Sequence, residues 1–404
     1  MPYLDKRALS GLKDYAYKPA GYTPIDGMHQ PIWNYIADKW LPRWLAPNLI
    51  TLTGLTALIT SYSVIAAQTP DFEHPAPSWL YLMAGCAVFF YLHMDALDGK
   101  QARRTKTSSP LGQLFDHGCD ALAVHIILTG MLTSLQLGHE WKAIVSMMYV
   151  CIPWWMAHWE EYHTGVMSYG NGLWGVTEAN YAVVLLHAYT YTVGPTGWTA
   201  KPFSIIFQQF PQIIEYLPTA AVKFLVSLRG NDCFMIFFFF LGGSLFQEQV
   251  RRVVKVASTI HSRKSLMNKK ERGNKTLGPK AAAFHLFQIL FTCACGAALM
   301  SLPTTVPGEG RVLMATFGVT YALQATRLIM AHMSKEPFSV ASWPLVLQLL
   351  QVANYFVTVL DPVLLAYAVN SIILAGYLHY VIGMTNEICV YLGINALTIK
   401  PAMD

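Results

Sequence analysis

Long apolar stretches separated by short polar segments run along most of this chain. Many of them are roughly 20 residues long, the length that a helix needs to cross a bilayer. We predict about ten membrane-spanning segments of this length, at roughly 48–68, 78–97, 112–136, 142–160, 177–195, 232–250, 281–302, 311–333, 339–360 and 362–384. Because backbone polar groups in lipid must be satisfied within the segment, the spans should be helices. The predicted fold class is all-α, a polytopic transmembrane helix bundle.

The same pattern divides the chain into four segments. Residues 1–47 are polar and aromatic and form a predicted cytosolic N-terminal segment. Residues 48–250 form a first transmembrane domain, and residues 251–280 form a basic cytosolic loop. Residues 281–404 are predicted to be C-terminal transmembrane helices followed by a short cytosolic tail.

Two segments combine apolar residues with polar or helix-breaking ones. Residues 31–47 mix tryptophans with Lys39 and Arg43. We predict an N-terminal interfacial helix there, the alternative being an aromatic loop at the level of the lipid headgroups. Residues 196–231 are apolar but contain three well-separated prolines, which favours a re-entrant or interfacial segment over a regular span.

Composition agrees with a membrane protein. The chain of 404 residues is 54% hydrophobic and 13% charged, whereas soluble domains carry about 25% charged residues. Lys and Arg concentrate after the second span and in the 251–280 loop, and the first inter-span loop, 69–78, has none. The positive-inside rule therefore places both basic segments and both termini in the cytosol. The 251–280 loop is either a solvated topogenic loop or a contact for anionic lipid or nucleotide.

Cysteine and histidine spacings do not match familiar metal or disulfide patterns. The seven cysteines include no Cys-x-x-Cys pair, so we expect reduced, packed thiols. The stretch HWEEYH at 158–163 lacks the spacing of a HEXXH zinc site. We expect Glu160 and Glu161 within it either to be solvated or to support a neighbouring site.

Four aspartates form the most informative pattern in the chain. Asp95 and Asp98 are three residues apart, and Asp116 and Asp120 are four apart, so each pair lies on one helix face. A basic hairpin from Lys100 to Pro110 joins the two helices and lets the faces meet. Single aspartates at helix ends are usually caps or solvated residues. Four converging carboxylates repel one another, however, and divalent cations with oxygen ligands remove that repulsion.

Residues beside these aspartates suggest phosphate chemistry. Gly99 has no side chain, so a pyrophosphate can approach its backbone closely. Arg103 is placed either to hold a phosphate with its planar guanidinium or to act only as a positive-inside residue. His117 lies on the same helix face as Asp120 and could accept a proton from an alcohol. Paired divalent ions are a common device for displacement at phosphorus.

The residues from Asp95 to Asp120 read D-x2-D-G-x2-A-R-x8-G-x3-D-x3-D. This pattern resembles the signature of the CDP-alcohol phosphotransferases at each of its fixed positions. The surrounding sequence is similar to eukaryotic choline/ethanolaminephosphotransferases in three further stretches, WLAPNLITLTG (44–54), HWEEYHTG (158–165) and VTEAN (176–180). The resemblance covers most of the chain and makes residues 48–250 the catalytic transmembrane domain.

The resemblance implies a reaction and its participants. The enzyme would transfer phosphoethanolamine or phosphocholine from CDP-ethanolamine or CDP-choline to diacylglycerol, releasing CMP and forming phosphatidylethanolamine or phosphatidylcholine, the last step of the Kennedy pathway. Two Mg²⁺ ions, with Mn²⁺ as a substitute, are the implied cofactors. A homodimer in the endoplasmic reticulum or Golgi membrane, with its active site facing the cytosol, is also implied. No nucleic-acid partner is expected.

The resemblance also assigns roles to single residues. The implied metal ligands are Asp95, Asp98, Asp116 and Asp120. His117 would be the base that accepts the diacylglycerol proton, and Glu178 of the VTEAN stretch would lie against His117 and raise its basicity. Asn48, Arg103 and Gly99 would contact the CDP moiety. The aromatic residues Trp154, Trp155, Trp159 and Tyr162 are either contacts for the cationic head group or part of an interfacial belt.

Two other functions are weighed against this one. A CDP-diacylglycerol-dependent phospholipid synthase of the same superfamily would be about half this length, so the long C-terminal half argues against it. A cation transporter would place carboxylates near mid-bilayer in two related halves. Here the carboxylates cluster once, at the ends of spans, beside Gly99 and Arg103.

Overall fold

The computed structural model describes residues 2–72, 74–262 and 272–399, and over these residues the chain is a bundle of helices. Its helices are α1 Lys6–Lys13, α2 Pro24–Lys39, α3 Pro47–Gln68, α4 Ser78–Thr105, α5 Pro110–Leu135, α6 Trp141–Thr164, α7 Val176–Val193, α8 Pro202–Gln209, α9 Thr219–Ser227, α10 Gly230–Ser262, α11 Pro279–Met300, α12 Glu309–Ser334, α13 Ser342–Val357 and α14 Pro362–Leu392. Short 3₁₀ helices cover Pro195–Thr199 and Pro211–Tyr216. The two-residue strands β1 Pro19–Ala20 and β2 Met167–Ser168 pair in parallel.

These helices confirm the all-α, polytopic membrane class. A helix stands at each predicted span, namely α3 to α7 and α10 to α14. Seven of the helices among the described residues are long and apolar enough to cross a membrane: α3, α4, α5, α10, α11, α12 and α14. At 16 residues, α13 is the shortest helix at a predicted span. Six of the described cysteines are free thiols, as expected: Cys86, Cys119, Cys151, Cys233, Cys293 and Cys295.

Helix α4 continues beyond its apolar part, which shortens the predicted hairpin. Residues 100–105 are helical, so the connection to α5 is only the four residues 106–109. The polar last turn is held because Gln101 and Arg104 donate hydrogen bonds to backbone carbonyls of the segment before α3, including that of Leu41 at 2.7 Å. Lys106, with φ of 60°, adopts the left-handed conformation that ends the helix.

The predicted 251–280 loop is also partly helical. Helix α10 extends to Ser262 instead of ending near residue 250. Its polar end has a partner, because the Arg252 guanidinium donates to the Glu160 carboxylate of α6, with Nη2 to Oε2 at 2.9 Å. Glu160 is therefore buried and ion-paired instead of solvated. Four basic residues of the predicted loop, Arg263, Lys264, Lys269 and Lys270, lie outside the described residues.

The interfacial helix predicted at 31–47 corresponds to α2, which begins and ends earlier in the chain. Helix α2 covers 24–39 because Thr23 caps it: its hydroxyl accepts from the Asp26 amide, and the Asp26 carboxylate accepts from the Thr23 amide. Residues 40–46 leave the helix ahead of Pro47 and expose Trp40 and Trp44. The segment 196–231 forms only short helices.

The segments predicted to be cytosolic lie at one end of the bundle, where the residues that connect the helices contact one another. The start of α3 meets the residues after α14, where Asn48 Nδ2 donates to the Ala396 carbonyl at 2.9 Å. The segment before α11 meets the end of α12, where the Asn274 amide donates to the Lys335 carbonyl at 2.7 Å. At the opposite end, Arg311 at the start of α12 binds the Thr69 carbonyl after α3. The four aspartates lie at the first of these ends.

Candidate active site

Helices α4 and α5 bring both pairs of aspartates into one cavity. Asp95 and Asp98 lie in the second half of α4, and Asp116 and Asp120 lie in the first half of α5. One carboxylate oxygen from each of Asp95, Asp116 and Asp120 lies within 4.8 Å of the other two. Asp98 lines the same cavity, while its Oδ2 accepts a hydrogen bond from the Thr51 hydroxyl of α3.

The donor set fits a hard divalent cation. Asp120 Oδ1 accepts from the Tyr91 hydroxyl at 2.6 Å, which orients that carboxylate. Asp116 Oδ1 is buried and has no hydrogen-bond partner among the described residues. An unpartnered buried carboxylate oxygen is costly unless a cation binds it. Mg²⁺ takes carboxylate oxygens as ligands, so Asp95, Asp98, Asp116 and Asp120 are the residues that could hold it.

The aspartates lie at one end of a cavity of about 870 Å³, which we call the central cavity. Its polar end also contains Asn48, Arg103, His117 and Glu178. Its other end is lined by apolar side chains of α5, α6 and α10: Ile127, Leu128, Val150, Phe238, Leu241 and Leu245. One cavity therefore joins a cluster of carboxylates to an apolar compartment between spanning helices.

Several buried polar atoms without hydrogen-bond partners belong to residues that line the central cavity. They are Trp33 Nε1, Asp116 Oδ1, His117 Nδ1, both ring nitrogens of His158, Trp174 Nε1, Glu178 Oε1 and Gln249 Oε1. Native proteins pair most of their buried polar groups, so each exception calls for an explanation. Polar atoms that converge on a largely apolar cavity are typical of a ligand site.

Arg103 and Gly99 are adjacent in the wall of the central cavity. A Cβ added to Gly99 would lie 3.4 Å from Arg103 Nη1, so the glycine keeps the space before the guanidinium open. The Arg103 side chain is exposed and has no hydrogen bond or ion pair with described residues. Two neighbouring cations differ: Arg104 binds Leu41, and Lys100 Nζ donates to Gln30 and Asn34 of α2.

His117 is buried beside the aspartates. Its contacts do not include Glu178, the partner that the resemblance implies. Its Nε2 lies 3.1 Å from Gln113 Nε2 and 3.9 Å from an Asp116 carboxylate oxygen. Glu178 lines the same cavity, but its Oε2 accepts from the Gly175 amide at 2.8 Å and caps α7. No hydrogen bond joins Glu178 to His117 in the described parts of the chain. The carboxylate grouped with His117 is that of Glu161.

Asn48 lines the central cavity as the sequence predicts, yet its amide also holds the chain after α14. Its Nδ2 donates to the Ala396 carbonyl. Residues 394–396, 398 and 399 thereby reach the cavity wall from the far end of the sequence. No motif in this tail predicts such a position.

The N-terminal segment also reaches the central cavity. Tyr17 and Tyr22, on either side of β1, line it, because β1 pairs with β2 directly after α6. Tyr17 and Tyr169 are joined through their hydroxyls. Burial raises the pKa of Tyr17 far above its usual value, and the negative charges of Glu161 and Asp116 add to the shift, so this hydroxyl stays protonated.

Glu161 lies in a buried polar cluster behind His117, a position the sequence left open. Its Oε1 accepts from the Tyr15 hydroxyl at 3.2 Å and lies 3.4 Å from His332 Nε2. Lys275 Nζ lies 2.7 Å from the other nitrogen of His332. Burial lowers the pKa of Lys275 to about 7, and the positive charge of Lys335 acts in the same direction. Glu161 therefore supports the site instead of being solvated.

Of the four aromatic residues singled out in α6, only Trp154 lines the central cavity. Trp155, Trp159 and Tyr162 are 0–2% exposed and form part of the hydrophobic core around α6 and α12. Helical periodicity explains the difference, since these three side chains turn toward α11 and α12: the Trp159 Nε1 donates to the Ala282 carbonyl of α11. They are therefore neither head-group contacts nor an exposed interfacial belt.

The chain is similar to known proteins over its whole length. The family model described as CDP-alcohol phosphatidyltransferase matches residues 44–205. An uncharacterized CDP-alcohol phosphatidyltransferase class-I family protein 3 of Dictyostelium discoideum is 30% identical, over 98% of each chain. Cholinephosphotransferase 1 of Xenopus laevis is 27% identical over 98% of this chain and 91% of its own. Cholinephosphotransferase 1 of Gallus gallus is 32% identical over 60% of this chain and 69% of its own.

Proposed function

Since this chain belongs to the CDP-alcohol phosphatidyltransferase family, we propose that it transfers phosphoethanolamine or phosphocholine from the corresponding CDP-aminoalcohol to diacylglycerol. The products would be CMP and phosphatidylethanolamine or phosphatidylcholine. Membership of the family supports a CDP-alcohol phosphotransferase in general. The aminoalcohol head group is proposed because two relatives that match well over half of the chain are named cholinephosphotransferases.

One observation supports a lipid acceptor above all others. The central cavity connects the aspartate cluster with an apolar compartment lined by α5, α6 and α10. A CDP-aminoalcohol is polar and must enter from water, whereas diacylglycerol is apolar and enters from the bilayer. A cavity with these two ends accommodates both substrates at the carboxylates.

Each of these cavity residues has its own role in the proposed reaction. In the proposed step, His117 accepts the proton of the diacylglycerol hydroxyl. The oxygen of that hydroxyl forms a bond to the phosphorus that carries the aminoalcohol. The bond between that phosphorus and the CMP oxygen breaks, and CMP leaves. Arg103 holds a phosphate of the nucleotide with its guanidinium, and Gly99 leaves room for that contact. Asn48 orients the nucleotide at the cavity wall, and Glu178, which makes no hydrogen bond to His117 among the described residues, caps α7 beside the same cavity.

Mg²⁺ ions bound at Asp95, Asp98, Asp116 and Asp120 would neutralise diphosphate charge and stabilise the leaving phosphate. The four carboxylates that would hold such ions line the polar end of the cavity, where an Asp116 oxygen lies 3.9 Å from His117 Nε2. Asp98 is further oriented by Thr51, and Asp120 by Tyr91.

The organelle is proposed on the resemblance to the family, and the orientation on the chemistry of the substrates. We place the enzyme in the endoplasmic reticulum or Golgi membrane with the carboxylate end facing the cytosol, where CDP-aminoalcohols are dissolved. A homodimer is proposed on the resemblance to the family. The alternative CDP-diacylglycerol-dependent synthase has less support, because the similarity to cholinephosphotransferases extends through the C-terminal helices.

Purified protein should release CMP when it is given diacylglycerol, Mg²⁺ and either CDP-choline or CDP-ethanolamine. We expect no CMP release when either the lipid or the CDP-aminoalcohol is omitted. The two donors are compared by kcat/KM, and product lipids are identified by mass spectrometry. CMP release from CDP-diacylglycerol and a soluble alcohol, in place of this reaction, would assign the alternative synthase activity.

Replacing Arg103 with glutamine should raise KM for the CDP-aminoalcohol by about tenfold to a hundredfold, as expected for a lost charge-assisted hydrogen bond. The KM for diacylglycerol should stay the same, because the lipid occupies the apolar end. Steady-state kinetics with each substrate varied in turn measures both values.

Arg251→Gln is the matched control for this variant. It removes the same charge at the same end of the bundle, from an exposed position of α10 that does not line the central cavity. We expect its kinetics to match the unaltered protein. An equal rise in KM for both variants would mean that general surface charge, not a phosphate contact, is responsible.

A further inference from the structure

Two histidines and a glutamate from two helices meet beside the aspartates, and both histidines line the central cavity. His117 lies on α5, and His158 and Glu161 lie one turn apart on α6. One possible ligand atom from each residue lies within 4.8 Å of the other two. All three residues are 1–2% exposed. We call them the His–Glu cluster.

His158 carries the clearest signal in this cluster. Both of its ring nitrogens are buried and have no hydrogen-bond partner among the described residues. Its ring centroid lies 5.0 Å from that of His117, and both residues line the central cavity. Burial of an imidazole without partners is costly. The cost is offset when a nitrogen coordinates an ion that enters from the cavity.

The neighbours of Glu161 orient its carboxylate toward His158. Tyr15 donates to Oε1, and Nε2 of His332 lies 3.4 Å from the same oxygen. Lys275 Nζ lies 2.7 Å from the other ring nitrogen of His332. The second oxygen, Oε2, lies 3.7 Å from His158 Nδ1. Carboxylate ligands of metal ions are commonly held in this way by surrounding hydrogen bonds.

From this geometry we infer that the His–Glu cluster is a binding site for a borderline divalent cation, with Zn²⁺ as the representative ion. Two imidazoles and one carboxylate are a common ligand set for zinc, with a fourth position open to water. In tetrahedral coordination the ligand atoms would be about 3.4 Å apart, so the side chains need to close by roughly 1 Å. The oxygen-only aspartate cluster instead favours Mg²⁺.

Occupation of this site would have a consequence for turnover. A coordinated His117 could no longer accept a proton, so Zn²⁺ would inhibit the enzyme without displacing Mg²⁺. This consequence rests on the proposed role of His117 in the transfer reaction. The binding of the ion does not rest on it, and the two can be measured separately.

Binding is tested on the purified full-length protein in excess Mg²⁺, with Zn²⁺ followed by calorimetry and Co²⁺ followed by its visible absorption. We expect one equivalent of tetrahedral Co²⁺, displaced by Zn²⁺ and insensitive to a large excess of Mg²⁺. His158→Gln and, independently, Glu161→Gln should weaken Zn²⁺ binding at least about tenfold. A Mg²⁺-dependent thermal shift that is retained in each variant shows that it is folded.

His163→Gln is the matched control. It removes another buried histidine from α6, one that pairs with His285 and does not line the central cavity. It should bind Zn²⁺ like the unaltered protein. The inference is overturned if the unaltered protein binds no stoichiometric tetrahedral Co²⁺, or if the signal persists in His158→Gln and Glu161→Gln.

Inhibition is then measured at saturating Mg²⁺ and substrates. Zn²⁺ should lower the turnover of the unaltered protein and of His163→Gln at the concentrations at which it binds. Binding without inhibition would support the metal site and reject His117 as the base. Absence of any CMP release would reject the proposed function and leave the binding result standing.

Discussion

Asp116→Asn is expected to lower CMP release by on the order of a thousandfold or more, equivalent to about 4 kcal/mol of transition-state stabilisation. Asp116 is grouped with Asp95 and Asp120, and its Oδ1 is buried without a partner. An amide at this position keeps the shape of the side chain but removes the charge that a divalent cation requires. The turnover number is measured at saturating Mg²⁺ and substrates.

The same variant should respond differently to Mg²⁺ in a thermal-unfolding experiment. Ligand binding stabilises a folded protein in proportion to the logarithm of ligand concentration over Kd. Mg²⁺ should therefore raise the melting temperature of the unaltered protein and raise that of Asp116→Asn much less. Without Mg²⁺ the variant should melt at or above the temperature of the unaltered protein, because one of several mutually repelling carboxylates has been neutralised.

Asp38→Asn serves as the control for both measurements. It makes the same substitution at an exposed position of α2 at the same end of the bundle. We expect unchanged turnover and an unchanged Mg²⁺ response. If Asp116→Asn kept more than a tenth of the turnover, or melted early without Mg²⁺, the carboxylates would not be acting as metal ligands.

Hydrophobic pattern and local spacing predicted those parts of the molecule that depend on short segments of sequence. The spans follow from uninterrupted apolar runs, and each corresponds to a helix. The meeting of the two aspartate pairs follows from helical periodicity together with a short connection between α4 and α5. The grouping of Asp95, Asp116 and Asp120 in the structure agrees with that reasoning.

Helix ends could not be predicted from apolar runs alone, because side-chain partners elsewhere in the chain decide them. Helix α4 keeps its polar last turn because Arg104 and Gln101 bind carbonyls before α3. Helix α10 keeps its basic end because Arg252 pairs with Glu160. The sequence marks such residues as polar but does not show what they contact.

Residues that reach the site over long sequence separations were also missed. Tyr17 depends on the pairing of β1 with β2, and the tail after α14 depends on the hydrogen bond from Asn48. His158 and Glu161 stood out in the sequence as ionisable residues, yet their grouping with His117 required the packing of α5 against α6. No spacing rule within one segment could reveal it.

His117→Gln is expected to lower kcat by about a hundredfold to ten-thousandfold, the usual contribution of a positioned general base. KM for the CDP-aminoalcohol and the Mg²⁺-dependent thermal shift should change little, because the carboxylates and Arg103 remain in place. Glutamine can still fill the space and accept a hydrogen bond from Gln113, which lies 3.1 Å from His117. It cannot accept and carry the proton of the lipid hydroxyl. Initial rates with both substrates saturating measure the effect.

His93→Gln provides the comparison, since His93 is a partly exposed residue of α4 whose Nδ1 bonds to the Phe89 carbonyl and which does not line the central cavity. Its kcat should stay within about threefold of the unaltered value, which is under 1 kcal/mol. A kcat for His117→Gln in that same range would show that another group accepts the proton. Glu178, whose Oε1 is buried at the cavity without a partner, would then be the residue to replace next, and Glu178→Gln should lose the activity that His117→Gln retains.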